Sequence, residues 1–155
     1  MPIVEPAELK NALPAGARLL GLDLGSKTIG LAISDSGLVV ASPLETIARK
    51  KFTADANALI ALIEARGVGG LVLGLPKNMD GSEGPRAQST RQFAANLLEK
   101  IDIPIALWDE RLSTAEVERV LIDQADMTRK RRGAVIDKMA ASVILQGCLD
   151  YLGNV

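Results

Sequence analysis

The chain contains no histidine among its 155 residues. That excludes His-based nucleophilic triads, most zinc sites and imidazole general-base chemistry. One cysteine excludes an internal disulfide and any CxxC motif. That residue, Cys148, falls in an apolar helical stretch and reads as a buried, inert thiol. A single Trp and a single Tyr leave little for a base-stacking platform. No apolar run approaches the ~20 residues of a membrane span. The first ten residues carry Pro and Glu where a signal peptide needs a basic and then an apolar run. The expectation is a soluble, cytoplasmic protein with no membrane partner. The formal charge of −1 offers no global attraction for polyanions, so contact with nucleic acid must rest on local patches.

What is present is largely aliphatic, and the length suits one domain over 1–155, with 1–17 as a peripheral leader holding one short helix at 7–13. Residues 18–23 form an apolar run stopped by Gly25-Ser26, and 29–34 and 38–44 read as two more strands around the turn Asp35-Ser36-Gly37. Short turns between three strands predict an antiparallel meander. The period then lengthens to a helix over 53–66, stopped by Gly67. Residues 70–76 are apolar on both faces, as a covered central strand requires. A helix over 85–100, a strand over 103–108, a helix capped by Ser113 with Glu116 three residues on, and a last helix over 134–152 complete the order. The sequence β-β-β-α-β-α-β-α-α predicts an α/β, ribonuclease-H-like fold with a five-stranded mixed sheet flanked by helices.

Three acidic motifs end or border these elements: Gly21-Leu22-Asp23-Leu24-Gly25, Trp108-Asp109-Glu110-Arg111 and Val135-Ile136-Asp137-Lys138. Acids in apolar stretches are costly unless neutralised, and three that converge suit a hard divalent cation, Mg²⁺ or Mn²⁺. Asp23 sits on a strand where position is well defined; the competing readings are a turn cap or part of a phosphate cradle like that of actin-like ATPases. Asp109 and Glu110 are neighbours, so only one can share a face with Asp23. Glu110 is favoured as the ligand and Asp109 as a supporting or turn residue, against a reading of both as solvated acids paired with Arg111. Asp137 borders the apolar stripe of the last helix among Ala134, Ala140 and Ala141, which allow close approach to the sheet. Its plainer reading is an anion near that helix's N-terminus, stabilised by the macrodipole. Two-metal phosphodiester cleavage needs such carboxylates and no histidine.

Basic residues gather near these motifs. Arg129, Lys130, Arg131 and Arg132 precede the predicted last helix, and Lys27, Lys77, Arg86 and Arg111 lie on loops or helix starts suited to phosphate contact. Arg49-Lys50-Lys51 reads as a weaker, distal contact. The loop carrying Asn78, Asp80 and Glu83 has some calcium-loop residues, but at the wrong spacing, so substrate positioning by Asn78 is the better reading.

Taken in order, these strings resemble the YqgF family, also called RuvX. The resemblance also rests on Ile29-Gly30-Leu31-Ala32-Ile33-Ser34-Asp35, Gly74-Leu75-Pro76, Asp80-Gly81-Ser82, Leu112-Ser113-Thr114 and Ile144-Leu145-Gln146. It implies a ribonuclease-H-like, divalent-metal nuclease with acidic ligands at Asp23, Glu110 and Asp137. It further implies trimming of the 5′ end of precursor 16S rRNA during ribosome biogenesis, with nucleic acid and a ribosomal particle as partners. Thr28 and Gly133 depart from the family's usual pattern, and both bear on substrate grip. Three rivals stand: a Holliday junction resolvase acting on branched DNA, an actin-like ATPase, for which one lobe is too short, and a non-enzymatic ribosome-assembly factor. No dimer seam is evident, so a monomer or weak dimer is expected.

Overall fold

The computed structural model describes residues 3–78, 80–110 and 129–153, and gives only the backbone for 129–137. Its elements are β1 (Ile3–Val4), a 3₁₀ turn (Pro6–Glu8), α1 (Leu9–Ala12), β2 (Arg18–Leu24), β3 (Thr28–Ser34), β4 (Ala41–Ala48), α2 (Phe52–Arg66), β5 (Val68–Leu75), α3 (Pro85–Leu98), β6 (Ile105–Asp109) and α4 (Arg129–Leu152). The strands form one mixed sheet in the order β1-β6-β5-β2-β3-β4. β2, β3 and β4 make the expected antiparallel meander, while β5 and β6 extend the sheet parallel to β2. Every residue of β5 is buried, as its apolar character on both faces predicted.

The period-2 alternation of β2 divides the core. Leu20, Leu22 and Leu24 join Leu59, Phe93 and Leu97 on the face covered by α2 and α3. Leu19 joins Ala141, Ile144, Leu145, Cys148, Leu149 and Leu152 on the face covered by α4. Those α4 positions recur at helical spacing, and each large side chain buried there contributes about 1.5–3 kcal/mol.

Four expectations are corrected. The sheet has six strands, because the leader supplies β1, paired in parallel with β6. The leader is also not peripheral: Leu9 is wholly buried in the α4 core. β4 starts at Ala41, since the Asp35 carboxylate accepts hydrogen bonds from the Val39 and Val40 amides at 2.8 and 3.0 Å and holds that segment as a turn. Finally, α4 begins at Arg129, so the basic run forms its opening turns and residue 137 stands roughly two turns inside. The macrodipole argument for Asp137 therefore fails, because that effect is confined to the first turn. Gly133 costs the helix about 1 kcal/mol without ending it. The helix expected after Ser113 lies outside the described residues.

Candidate active site

Asp23 is the next-to-last residue of β2, half-buried and paired with Gly30 of β3. Alternation puts it on the same face as Leu19 and Gly21, the face α4 covers. Gly21 shows how tightly the helix presses there. A Cβ on it would lie 2.8 Å from Leu145 Cβ and 3.1 Å from the Ala141 carbonyl oxygen.

Glu110 follows directly on β6. A Cβ on Gly74 of β5 would fall 2.7 Å from Glu110 Oε1, 2.8 Å from its Cγ and 2.6 Å from Ile144 Cδ1. The Glu110 side chain therefore lies across the β5 backbone, on the α4 face. β5 lies between β6 and β2, with Leu22 opposite Leu73, so Gly74 stands one residue beyond that pair on the side of Asp23. Asp23 and Glu110 thus share one sheet face and the carboxyl end of three parallel strands. Asp109 pairs with Leu75 and opens the other way, onto a crevice of about 390 Å³ lined also by Leu107, Lys77, Arg91 and Glu5.

The course of α4 relates residue 137 to this pair. Ala141 lies at the level of Gly21. Five residues on, Gln146 Oε1 accepts the Ala41 amide at 2.8 Å, and Ala41 pairs with Ser34, whose hydroxyl accepts the Leu19 amide. The helix thus runs from the level of Gly21 back to that of Leu19, antiparallel to β2. The turn before Ala141, which holds residue 137, continues toward the Asp23 end. The Asp137, Arg129, Arg131 and Arg132 side chains and all of Arg111 lie outside the described residues. Among the described residues no cluster of three acidic or thiol groups forms.

The basic positions divide. Arg86, at the start of α3, donates to the Leu24 carbonyl at 3.3 Å, immediately beyond Asp23. Lys77, Asn78 and Arg86 line one small cavity of about 240 Å³. Asn78 also closes its own loop, its amide donating to the Ser82 carbonyl at 2.9 Å and its Nδ2 to the Ser82 hydroxyl at 3.0 Å. Lys27 is exposed on the β2–β3 turn, at the same end of the sheet.

Arg49 is not distal. Its Nη1 donates to the Gly25 carbonyl at 2.7 Å, its amide donates to the Lys27 carbonyl at 2.8 Å, and its guanidinium sits 5.7 Å from the Phe93 ring centre. Two guanidinium groups from remote elements therefore hold the consecutive carbonyls of Leu24 and Gly25. Sequence reading missed this brace, because the hydrogen bond spans 24 positions. It also missed Gly74, whose signal was available: a glycine inside an apolar strand marks a close approach. The third omission, Arg91, grips Glu83 through both carboxylate oxygens at 2.6 and 2.7 Å, which lowers the Glu83 carboxyl below its ordinary range and raises Arg91. Burial pushes the Cys148 thiol up to about 12, as an inert core cysteine requires.

With this geometry in hand, known proteins bear on the chain. The family model described as RuvX, Holliday junction resolvase, matches residues 17–151. A protein of Paramagnetospirillum magneticum named "Putative pre-16S rRNA nuclease" is 63% identical over 150 residues, covering 97% of this chain and 96% of its own. A Rhodospirillum rubrum protein of the same name is 58% identical over 152 residues, covering 98% and 94%. Among solved structures, T. thermophilus RuvC in complex with a Holliday junction substrate aligns with a TM-score of 0.53 and 10% identity, over 87% of this chain and 94% of that one. The yeast mitochondrial Holliday junction resolvase gives 0.50 and 15%, over 96% and 84%. At such identities the likeness is one of fold, and the fold is ribonuclease-H-like.

Proposed function

The chain belongs to the RuvX family, and on that premise we propose that it is a divalent-metal-dependent nuclease that trims the 5′ end of precursor 16S rRNA. The observation that carries the reading is the Glu110 carboxylate laid over Gly74, on the sheet face and strand end that also bear Asp23. The names of the relatives support the rRNA substrate.

Carboxylate oxygens are the donors Mg²⁺ and Mn²⁺ take, and a glycine that leaves room for the Glu110 carboxylate suits such a site. Asp23, Glu110 and Asp137 would hold the ion. When bound, it supplies Lewis acidity to the phosphodiester and a more acidic water. The rest falls to the chain. Lys27, Lys77, Asn78 and Arg86 sit on the turns and helix start at this end of the sheet, where they orient phosphates without reading sequence. Arg111 and the basic opening of α4, with Arg129, Arg131 and Arg132, extend the same role. Arg49 and Arg86 fix the main chain just beyond Asp23, so that its carboxylate is set before substrate arrives.

The test is incubation of purified protein with precursor 16S RNA and Mg²⁺ or Mn²⁺, comparing wild type with Asp23→Asn and running four-way DNA junctions in parallel. Metal-dependent shortening of the RNA by wild type alone is expected. Symmetric incision of the junctions with intact RNA would replace the reading by the resolvase one. Equal processing by Asp23→Asn would leave an assembly factor without catalysis.

A further inference from the structure

The crevice on the far side of β6 shares only Lys77 with the site just described. Its volume of about 390 Å³ falls within the roughly 300–1,000 Å³ of small-molecule pockets. Leu75, Leu107 and Trp108, near the carboxyl ends of β5 and β6, give it an apolar lining together with β1, and Lys77, Arg91, Glu5 and Asp109 supply its charged groups. Cations and carboxylates balance. Arg91 is already engaged by both oxygens of Glu83 and is faced by Glu5 as well. Such a balanced lining gives neither a bare phosphate nor a metal ion much net attraction. A flat, neutral heterocycle with donors and acceptors around its edge fits an apolar lining ringed by groups of both signs.

Asp109 and Glu110 join this crevice to the opposite face. Their Cα atoms are neighbours at about 3.8 Å. Yet one side chain opens onto the crevice while the other crosses Gly74 toward α4. A polynucleotide passing over the carboxyl edge of the sheet with a phosphate at Glu110 brings its adjoining residue to the crevice mouth. We propose that the crevice is a nucleoside subsite that receives the unpaired base next to the cleaved phosphodiester. The proposal deepens the nuclease reading and rests on it for its substrate. Base capture there gives a sequence preference beside the cut, as unstacked RNA bases allow.

The test titrates the full ¹⁵N-labelled chain, without divalent metal, with each of the four nucleoside 5′-monophosphates and separately with inorganic phosphate. Amide shifts at Leu75, Leu107 and Asp109 are expected for at least one nucleotide, saturating on the order of 1 mM, with none for phosphate. Ile3→Trp fills the rim from an exposed position on β1 and should weaken binding about tenfold. Should that variant fail to fold, Asp109→Asn exchanges an acceptor for a donor at constant size and should change which base binds best. Absent shifts, equal shifts with phosphate, or binding indifferent to these variants would overturn the proposal. Cleavage of a randomised RNA separates it from the nuclease reading. Unbiased cutting without nucleotide binding sinks the subsite alone, whereas binding in the crevice with no RNA ever cut sinks the nuclease and leaves a nucleoside site.

Discussion

Gly74 and Glu110 compete for one volume: the carboxylate oxygen of Glu110 lies 2.7 Å from where a Cβ on Gly74 would stand. The atoms facing that point are the flexible end of the Glu110 side chain and the Ile144 Cδ1 methyl, both of which can rotate away. Gly74→Ala should therefore cost only about 1–2 kcal/mol of stability. Displacing the carboxylate should nevertheless lower RNA cleavage about 100-fold, since misplacements near 1 Å cost that much. Urea denaturation and single-turnover cleavage on the same preparation measure the two effects. Near-wild-type cleavage would remove Glu110 from the catalytic set.

Gly21→Ala is the contrasting case. Its new methyl meets Leu145 Cβ at 2.8 Å and the Ala141 carbonyl at 3.1 Å, atoms that cannot turn aside without moving α4. The stability loss should reach about 3 kcal/mol, the upper range for overpacking. Thermal unfolding checks it, and a Gly21→Ala protein as stable as wild type would mean the helix sits further from the sheet.

Arg49→Met removes the donor to Gly25 while keeping much of the contact with Phe93. The expected outcome is a fall in kcat of about tenfold with KM for RNA little changed, because the residue sets the main chain beyond Asp23 and does not grip substrate. Arg49→Lys should restore little, lacking the planar fork. A rise in KM with a shallower salt dependence would instead make Arg49 a phosphate contact.

The acid range gives a further outcome. Asp35 accepts the Val40 and Val39 amides, which holds its carboxyl below the ordinary 3.8. A depressed folded value means its contribution is present above about 3.8 and is lost as pH falls through the lower folded value. Glu83, lowered by Arg91, behaves alike below 4.5. Asp35→Asn should flatten the fall of stability as pH drops below about 3.8, read by urea midpoints at each pH. An unchanged slope would mean that the turn holds without the ionised carboxylate.

Cys148 should resist a disulfide reagent at pH 8 in the native protein and react only at the rate of unfolding, since its thiol is buried and pushed up to about 12. Raised in this way, the group costs stability as pH climbs from about 9 toward 12, where the unfolded thiol ionises and the folded one does not. Rapid native labelling at pH 8 would contradict the packing of α4 against the sheet.

Much of this was legible because period and composition are local properties. Continuous apolar character in 70–76 announced a strand covered on both sides, and the three-strand meander followed from short turns. The leader was misread because Leu9 shows no periodicity of its own; its burial depends on Leu149 and Leu152, some 140 residues away. The start of α4 was misplaced because a basic run followed by Gly133 looks like a loop until a packed apolar face holds the helix beyond it.

The sequence by itself determined which chemistry was open to this protein. Without histidine, and with one cysteine in an apolar stretch, imidazole and disulfide chemistry were closed, and acids set among apolar residues marked the positions to watch. Only the tertiary structure decided that Glu110 and not Asp109 turns over Gly74, and that Arg49 reaches back to Gly25. Alternation along a strand fixes that neighbours point apart, but not which face meets the partner acid. That choice is made by the packing of α4 on the sheet, a property of pairs of elements that no single stretch of chain contains.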